Sequence, residues 1–210
     1  MRGITFRTFP SNNHASPTGA LPFLLPAETS DSVKTPIPSN RLMRWIASQA
    51  SLPEEPSTMR YEAYSSLLDH RIRSAWLFYL YLDDRNFDSV ARKLYINPTS
   101  SSSVVRATLA YQLKAAAREE LLKESPCIDE EVLYAEAAKA FGALSTLLGN
   151  DQNFFGLSEP SLFDASVFAY THLLLDRGMG WCDETLSDLL RERENLVRHR
   201  QRISDAHFAS

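Results

Sequence analysis

The strongest structural signal in the 210-residue sequence is the run FFGLSEPSLFDA at residues 154–165. Ser161 and Asp164 stand three residues apart at the start of an apolar stretch, which is the spacing of a capping box. In such a box the serine hydroxyl accepts the Asp164 backbone N–H, and the carboxylate accepts the Ser161 backbone N–H. The cap stabilises a helix by about 0.5 to 2 kcal/mol, so we interpret Asp164 as structural and not as catalytic.

The helix that this box opens, residues 165–175, is predicted to be the central helix of the fold. It has few charges on any face, as expected of a helix that is covered on all sides. His172 lies on this helix, and no second catalytic group lies at helical spacing from it. We therefore interpret His172 as a hydrogen-bonded core histidine and not as a ligand or base.

A second helix is predicted at residues 61–79, where apolar side chains recur at steps of three and four. Its C-terminal part contains the run WLFYLYL at residues 76–82, which covers more than one helical face. A helix that is apolar on several faces needs more than one neighbour. One interpretation is that this run is buried within the domain. The other interpretation is that part of the run contacts a protein partner, with Trp76, Phe78 and Tyr81 as the candidate contacts.

Further helices are predicted at about residues 87–94, 105–122, 129–148 and 183–203, with a Pro- and Ser-rich loop at 97–103. Asp129 is predicted to cap the third of these helices, and Gly149 is predicted to end it. The last helix has one apolar side and one side with five arginines, which Glu192 and Glu194 interrupt. This mixture favours a solvated face over contact with anionic lipid.

The N-terminal part predicts a small unit that contains β-structure. Residues 4–9 alternate as a strand does, residues 21–25 suggest a short strand opened by proline, and a helix follows from Ser39 or Asn40 to Ser51. The segment 52–57 is rich in Pro and Glu and is predicted to be a linker. The predicted organisation is a β-containing domain at 1–51, a linker at 52–57 and a helical domain at 58–205.

Composition argues against several classes of function. The formal net charge of −4 supplies no field that would recruit nucleic acid. Cys127 and Cys182 lie far apart, the five histidines have no metal-ligand spacing, and no glycine-rich phosphate loop is present. No apolar stretch approaches the roughly 20 residues that span a bilayer. We therefore expect no catalytic residue, no metal, no cofactor and no membrane span, and we expect the partners to be proteins.

The segments GALPFLLP at 19–26, AWLFYLYL at 75–82 and FFGLSEPSLFDA at 154–165 together resemble a known family. A small β unit, a linker and a central helix opened by Ser-x-x-Asp resemble the glutathione-transferase-like architecture. Within it, the sequence is similar to the metaxins and their fungal relatives in the sorting and assembly machinery of the mitochondrial outer membrane. The implied fold is mainly α with a small α/β part: an incomplete thioredoxin-like unit followed by an all-helical domain.

The likeness is greatest to the smaller, peripheral fungal subunit of that machinery. It implies a non-enzymatic protein on the cytosolic face of the mitochondrial outer membrane, which assists the insertion of β-barrel precursors. The implied partners are the membrane-embedded barrel subunit, the larger metaxin-like subunit and the precursors themselves. The resemblance implies no cofactor.

Two alternatives stay open. The first is a glutathione-dependent transferase, although such enzymes carry their activating residue on a first strand and helix that this sequence is expected to lack. Where they hold the glutathione amino group with an acidic residue followed by serine, this sequence has Pro38-Ser39. The second alternative is a cytosolic scaffold of the translation machinery built on the same helical domain.

Overall fold

The computed structural model describes residues 6–9, 16–18, 22–26, 35–49 and 58–208. The chain divides into two compact units, Met1–Glu54 and Glu55–Ser210. Helices dominate the second unit, and a two-stranded sheet lies in the first. The predicted fold class, mainly α with a small α/β part, is therefore confirmed.

In the first unit, strand β1 (Phe23–Leu24) pairs antiparallel with strand β2 (Ile37–Pro38). Helix α1 (Ser39–Gln49) begins directly after β2. The predicted strand at 4–9 is wrong for residues 6–9, which lie in no strand, and its first two residues lie outside the described part. Strand β2 was missed because two residues are too few to show alternation. The predicted linker at 52–57 lies outside the described residues.

The helical unit contains helices α2 to α8. Helix α2 (59–82) has α-helical turns at Met59–Ser66 and Arg73–Leu77 and π-helical turns at Leu67–Ile72 and Phe78–Leu82. Helix α3 (84–96) joins the α-helical turn Asp84–Asn86 to the π-helical Phe87–Ile96. The remaining α-helices are α4 (Ser103–Leu122), α5 (Glu130–Leu148), α6 (Leu162–Leu175), α7 (Thr185–Arg191) and α8 (Glu194–His207). Single 3-10 turns lie at Phe154–Gly156 and Arg177–Met179.

Side-chain caps set several of these boundaries. Asp129 accepts the backbone N–H groups of Glu131 and Val132 at 3.0 and 3.2 Å, so it caps α5 as predicted. Gly149 ends the same helix with a φ of +55°, a backbone conformation that glycine adopts without strain. Between α2 and α3, Asp83 accepts the backbone N–H of Asn86 at 2.8 Å and so starts the next helix.

The main core centres on α5, which contributes seven of its buried side chains, and the prediction that α6 is the central helix is wrong, because α6 contributes three. Of the residues of α6, all of which the structure describes, Ala169 alone is exposed. The core takes buried side chains from α2, α5, α7 and α8, among them Tyr79, Phe141, Leu144, Leu186 and Leu196. A second cluster joins α3 to α2 and α4 through Leu80, Phe87, Val90, Ala91 and Ile96.

The predicted last helix, 183–203, is wrong in its continuity. The structure has two helices, α7 and α8, because Arg193 adopts a non-helical backbone with φ −107° and ψ +77°. The break changes which residues of α8 face the core. Leu196, His199 and Ile203 are buried, whereas Val197 is half-exposed.

None of the helices among the described residues has both the length and the apolar character needed to cross a membrane.

Candidate functional site

A capping box links Ser161 and Asp164 at the start of α6. The Ser161 hydroxyl oxygen accepts the Asp164 backbone N–H at 3.2 Å. One carboxylate oxygen of Asp164 accepts the Ser161 backbone N–H at 2.9 Å and the Ser161 hydroxyl at 2.6 Å. These bonds satisfy backbone groups that the first turn of a helix leaves unpaired.

The other carboxylate oxygen of Asp164 extends this network beyond the helix. It accepts the backbone N–H of Phe154 at 3.0 Å and lies 2.8 Å from Nε2 of His199 on α8. Asp164 and His199 are both 0 % exposed. Burial opposes ionisation of the carboxyl group, but the bonds from His199, Ser161 and Phe154 outweigh it and lower the pKa of Asp164. Asp164 thus joins three parts of the fold.

The pairing of Asp164 with His199 is not arranged as a catalytic site. A general base must reach a substrate, and neither side chain has any accessible surface. The Ser161 hydroxyl, which donates to this carboxylate, serves the capping box. We interpret the pair as a buried structural network, consistent with the structural reading of Asp164.

A second buried network surrounds Asn86 at the start of α3. Its side-chain oxygen accepts the backbone N–H groups of Cys182 and Asp183 at 3.0 and 2.9 Å, and its side-chain nitrogen donates to the Asp183 carbonyl at 3.2 Å. The Tyr79 hydroxyl donates to the same carbonyl at 2.6 Å. Burial raises the pKa of Tyr79, so its hydroxyl stays protonated as a donor. This network ties α2 and α3 to the segment before α7.

The three candidate partner contacts on α2 are half-buried and point to different neighbours. Trp76 packs edge to face against Tyr170 and Trp181, with ring centroids 6.1 and 5.6 Å apart. The structure therefore buries much of Trp76 within the helical unit.

The other two candidates also have aromatic neighbours inside the unit. Phe78 packs edge to face on Tyr134 at 5.9 Å, and Tyr81 lies 6.3 Å from the ring of Tyr95. Burial raises the pKa of Tyr81 to about 12. The structure does not bring Trp76, Phe78 and Tyr81 together into one exposed surface.

The dipeptide Pro38-Ser39, which the family resemblance compares with the acidic residue and serine that hold glutathione in transferases, lies at the junction of β2 and α1. Pro38 pairs with Phe23 in the sheet, and Ser39 is the first residue of α1. The residue before this serine is therefore an uncharged proline at the end of a strand. It offers no carboxylate to an amino group of a ligand.

A cavity of about 310 Å³ lies between α2, α5 and the loop after α4. In its wall, Nδ1 of His70 lies 2.5 Å from one oxygen of Glu124, and the Ser74 hydroxyl donates to the other at 3.3 Å. Arg71 lies 3.5 Å from Glu136. These polar groups of the wall are thus bonded to one another. Among the described residues, no group of His, Cys, Asp and Glu could hold a metal ion.

Two predictions about histidine and arginine have different outcomes. His172 is half-buried and stacks on Phe168 at 5.0 Å, but its Nδ1 has no hydrogen-bond partner among the described residues, so the predicted hydrogen bond is wrong for that atom. Burial lowers the pKa of His172 and Arg200 lowers it further. Three of the five arginines are paired with acids, as expected of a solvated face: Arg191 with Glu184 and Asp188, Arg193 with Glu192, and Arg198 with Glu194. Arg202 instead donates to the Gln152 carbonyl.

Sequence reasoning missed His199 and Asn86, the two polar side chains that anchor the buried networks. His199 stands three residues after Leu196 and four before Ile203, and that spacing could have placed it on a buried face. The undetected break at Arg193 hid this pattern. Asn86 has no such signal, because its partners lie nearly a hundred residues away in the chain.

Comparison with known proteins supports the architecture. Residues 1–86 match the family model of the glutathione S-transferase N-terminal domain, and residues 137–203 match that of the C-terminal domain. Metaxin-1 of Macaca fascicularis is 28% identical over 207 residues, and metaxin-1 of Mus musculus is 27% identical over the same length. Metaxin-1 of Homo sapiens is 28% identical over 173 residues, which is 79% of this chain and 36% of that protein.

The alignments with the macaque and mouse proteins cover 94% of this chain and 63% of each relative. The chain thus spans somewhat less than two thirds of the length of these relatives. Both family models and the mainly helical structure agree on one architecture. The chain therefore has a glutathione-transferase-like fold, and it is similar to metaxin-1 along nearly its whole length.

Proposed function

We propose that this chain is a non-enzymatic, peripheral subunit of the sorting and assembly machinery on the cytosolic face of the mitochondrial outer membrane. In that role it assists the recognition and insertion of β-barrel precursors. The observation that carries the proposal is the similarity to metaxin-1 over 94% of the chain. Its partners are the membrane-embedded barrel subunit, the larger metaxin-like subunit and the precursors.

The buried chemistry of the helical unit favours binding over catalysis. Asp164 and His199 are bonded to each other without access to solvent. Tyr79 and Asn86 are likewise engaged with the backbone of Asp183. Active sites keep such groups accessible to a substrate, whereas here they hold helices together.

Phe78 and Tyr81 are the proposed partner contacts on α2. Each residue is half-buried, and its ring packs on Tyr134 or Tyr95. Partly exposed aromatic side chains held by their neighbours are good anchors, because little side-chain entropy is lost when a partner binds. A charge at either position would also disturb the packing below it. Phe78→Ala and Tyr81→Ala are therefore better test variants than charge substitutions.

Fractionation of cells tests the proposed location. We expect the protein to sediment with mitochondria after a salt wash and to be digested by protease added outside intact organelles. We also expect alkali to release it. Depletion of the barrel subunit should then shift it to the soluble fraction, because attachment depends on a protein contact. Recovery in the matrix, or retention on salt-washed membranes after depletion, would contradict the proposal.

A glutathione-dependent transferase is the second candidate, and the match of residues 1–86 to the transferase N-terminal domain is the observation that favours it. Against it stands the uncharged Pro38 at the position of the acidic glutathione contact. We expect the purified protein neither to bind immobilised glutathione nor to conjugate it to a general electrophile. Turnover above that of a heat-denatured control would establish the transferase instead.

A further inference from the structure

The charges of this chain are unevenly distributed. The whole sequence has a net charge of −4, but residues 89–118 contain five cations and no Asp or Glu. This segment forms most of α3, the loop after it and most of α4, which pack together as a helical hairpin. A local field of this kind attracts anionic partners even when the whole protein is acidic.

Some of these cations are neutralised within the unit. Arg92 lies 2.8 Å from Asp88, and Lys114 lies 2.5 Å from Asp84. By contrast, Lys93, Arg106 and Arg118 have no ion-pair partner in the part of the chain that the structure describes. Arg106 donates a hydrogen bond to the carbonyl of Ser101, an uncharged group, at 3.1 Å. The positive charges of Lys93 and Arg106 therefore remain available to a partner.

These two cations flank the turn of the hairpin, residues 93–106, which we name the hairpin tip. Every residue from 93 to 105 is exposed except Ile96 and Ser100. The exposed set includes four apolar or aromatic side chains, namely Leu94, Tyr95, Val104 and Val105, and Val104 is 72% exposed. Ile96, at 0% exposure, fixes the tip to the core.

We propose that the hairpin tip binds the surface of an anionic phospholipid bilayer. Lys93 and Arg106 contact the lipid phosphates, and Leu94, Tyr95, Val104 and Val105 enter the boundary between headgroups and acyl chains. Apolar residues bordered by Lys or Arg form the usual surface for interfacial binding. Aromatic rings such as that of Tyr95 favour this depth because they are apolar with a polar end.

The shape of the tip favours a bilayer over an acidic peptide. A peptide binds tightly where a groove surrounds it, whereas the tip is a turn whose residues project into solvent. A bilayer surface is deformable and accepts a projecting turn. The contact area is small, so the binding is reversible and weakens as salt screens the charges. The inference does not depend on the proposed function, since purified protein and pure lipid are enough to test it.

Flotation of the full chain with lipid vesicles tests the proposal. We expect binding to vesicles of phosphatidylcholine with phosphatidylserine at low salt, little binding to phosphatidylcholine alone, and loss of binding at high salt. Each cation near an anionic surface contributes about 1 kcal/mol, so K93E/R106E should lower the partition coefficient by at least about tenfold. V104D should also lower the partition coefficient, because it removes an apolar group and adds a negative charge, which the anionic lipid repels.

Matched control variants separate the tip from the rest of the surface. Arg198→Glu reverses an exposed arginine on α8, and Val132→Asp places a carboxylate on an exposed valine of α5. We expect both to float as the unaltered chain does. Equal loss in the controls, or equal binding to neutral vesicles, would overturn the proposal. Binding of a labelled polyglutamate peptide at the tip without any flotation would assign the tip to an acidic protein partner instead.

Discussion

The start of α6 and the hairpin tip differ in whether their charged side chains have partners within the fold. At the start of α6, the Asp164 carboxylate is 0% exposed and every bond it makes is to a named group of the fold. At the hairpin tip, Lys93 precedes the exposed Leu94 and Arg106 follows the exposed Val105, and neither cation has an ion-pair partner among the described residues. A buried charge needs hydrogen-bond or ion-pair partners within the fold, because it has lost its hydration. An exposed charge is hydrated by solvent and stays available to a binding partner.

This difference assigns stability to the start of α6 and binding to the hairpin tip. Substitutions at the start of α6 should change the free energy of unfolding and leave binding chemistry alone. Substitutions at the hairpin tip should do the reverse.

Asp164→Ala should have the largest effect on stability. The cap alone predicts a loss of about 0.5 to 2 kcal/mol. In the structure, however, the substitution also leaves the Phe154 N–H and the His199 ring without their acceptor. Each buried group left unpaired costs about 1 to 3 kcal/mol, so together with the lost cap we expect a total loss of about 3 to 5 kcal/mol by urea denaturation. A loss of unfolding free energy below about 1 kcal/mol would show that the hydrogen bonds of Asp164 contribute little to the stability of the fold.

Asn86→Ala should have the next largest effect. It removes the acceptor for the N–H groups of Cys182 and Asp183 and a donor to the Asp183 carbonyl, all in a buried site. Unpaired buried groups cost about 1 to 3 kcal/mol each, although relaxation and water recover part of this. We expect a total loss of about 2 to 4 kcal/mol, measured in the same denaturation experiment. Asn86→Asp is the matched variant, since it keeps the acceptor and loses the donor.

The stability that Asp164 contributes should depend on pH. Its pKa is lower in the folded state than the roughly 3.9 of an unfolded Asp, so the contribution is present above that value and is lost as the pH falls through the lowered pKa. In Asp164→Asn the amide nitrogen cannot accept these bonds, and the residue does not titrate. The difference in unfolding free energy between the two proteins should therefore shrink below about pH 4. A constant difference across this range would show that the Asp164 pKa is not lowered.

Arg198→Ala should have the smallest effect. Arg198 and Glu194 are both largely exposed, and their closest charged atoms are 3.6 Å apart. Exposed pairs of this kind contribute at most about 0.5 kcal/mol in a helix. We expect a melting temperature close to that of the unaltered chain in calorimetry. A large drop would show that the solvated face of α8 supports the fold after all.

The sequence predicted those parts of the fold that short-range patterns encode. The box at Ser161 and Asp164, the cap at Asp129 and the stop at Gly149 are local, because each involves atoms within a few residues. The bond between Asp164 and His199 joins residues 35 apart. The periodicity of apolar residues along a helix compares positions a few residues apart, so it cannot show a pairing between two distant helices. The tip was overlooked because the net charge of the whole chain hides a segment of opposite sign.

The most direct test of the proposed function is to isolate the tagged chain from mitochondrial outer membranes in mild detergent and to measure its stoichiometry with the barrel subunit. The proposed contact on α2 predicts that Phe78→Ala and Tyr81→Ala weaken the association, while Val132→Ala, at an exposed site on α5, does not. We expect the barrel subunit to co-purify in a fixed ratio with the unaltered chain. Recovery of the chain alone, with the barrel subunit intact in its own complex, would contradict the assignment.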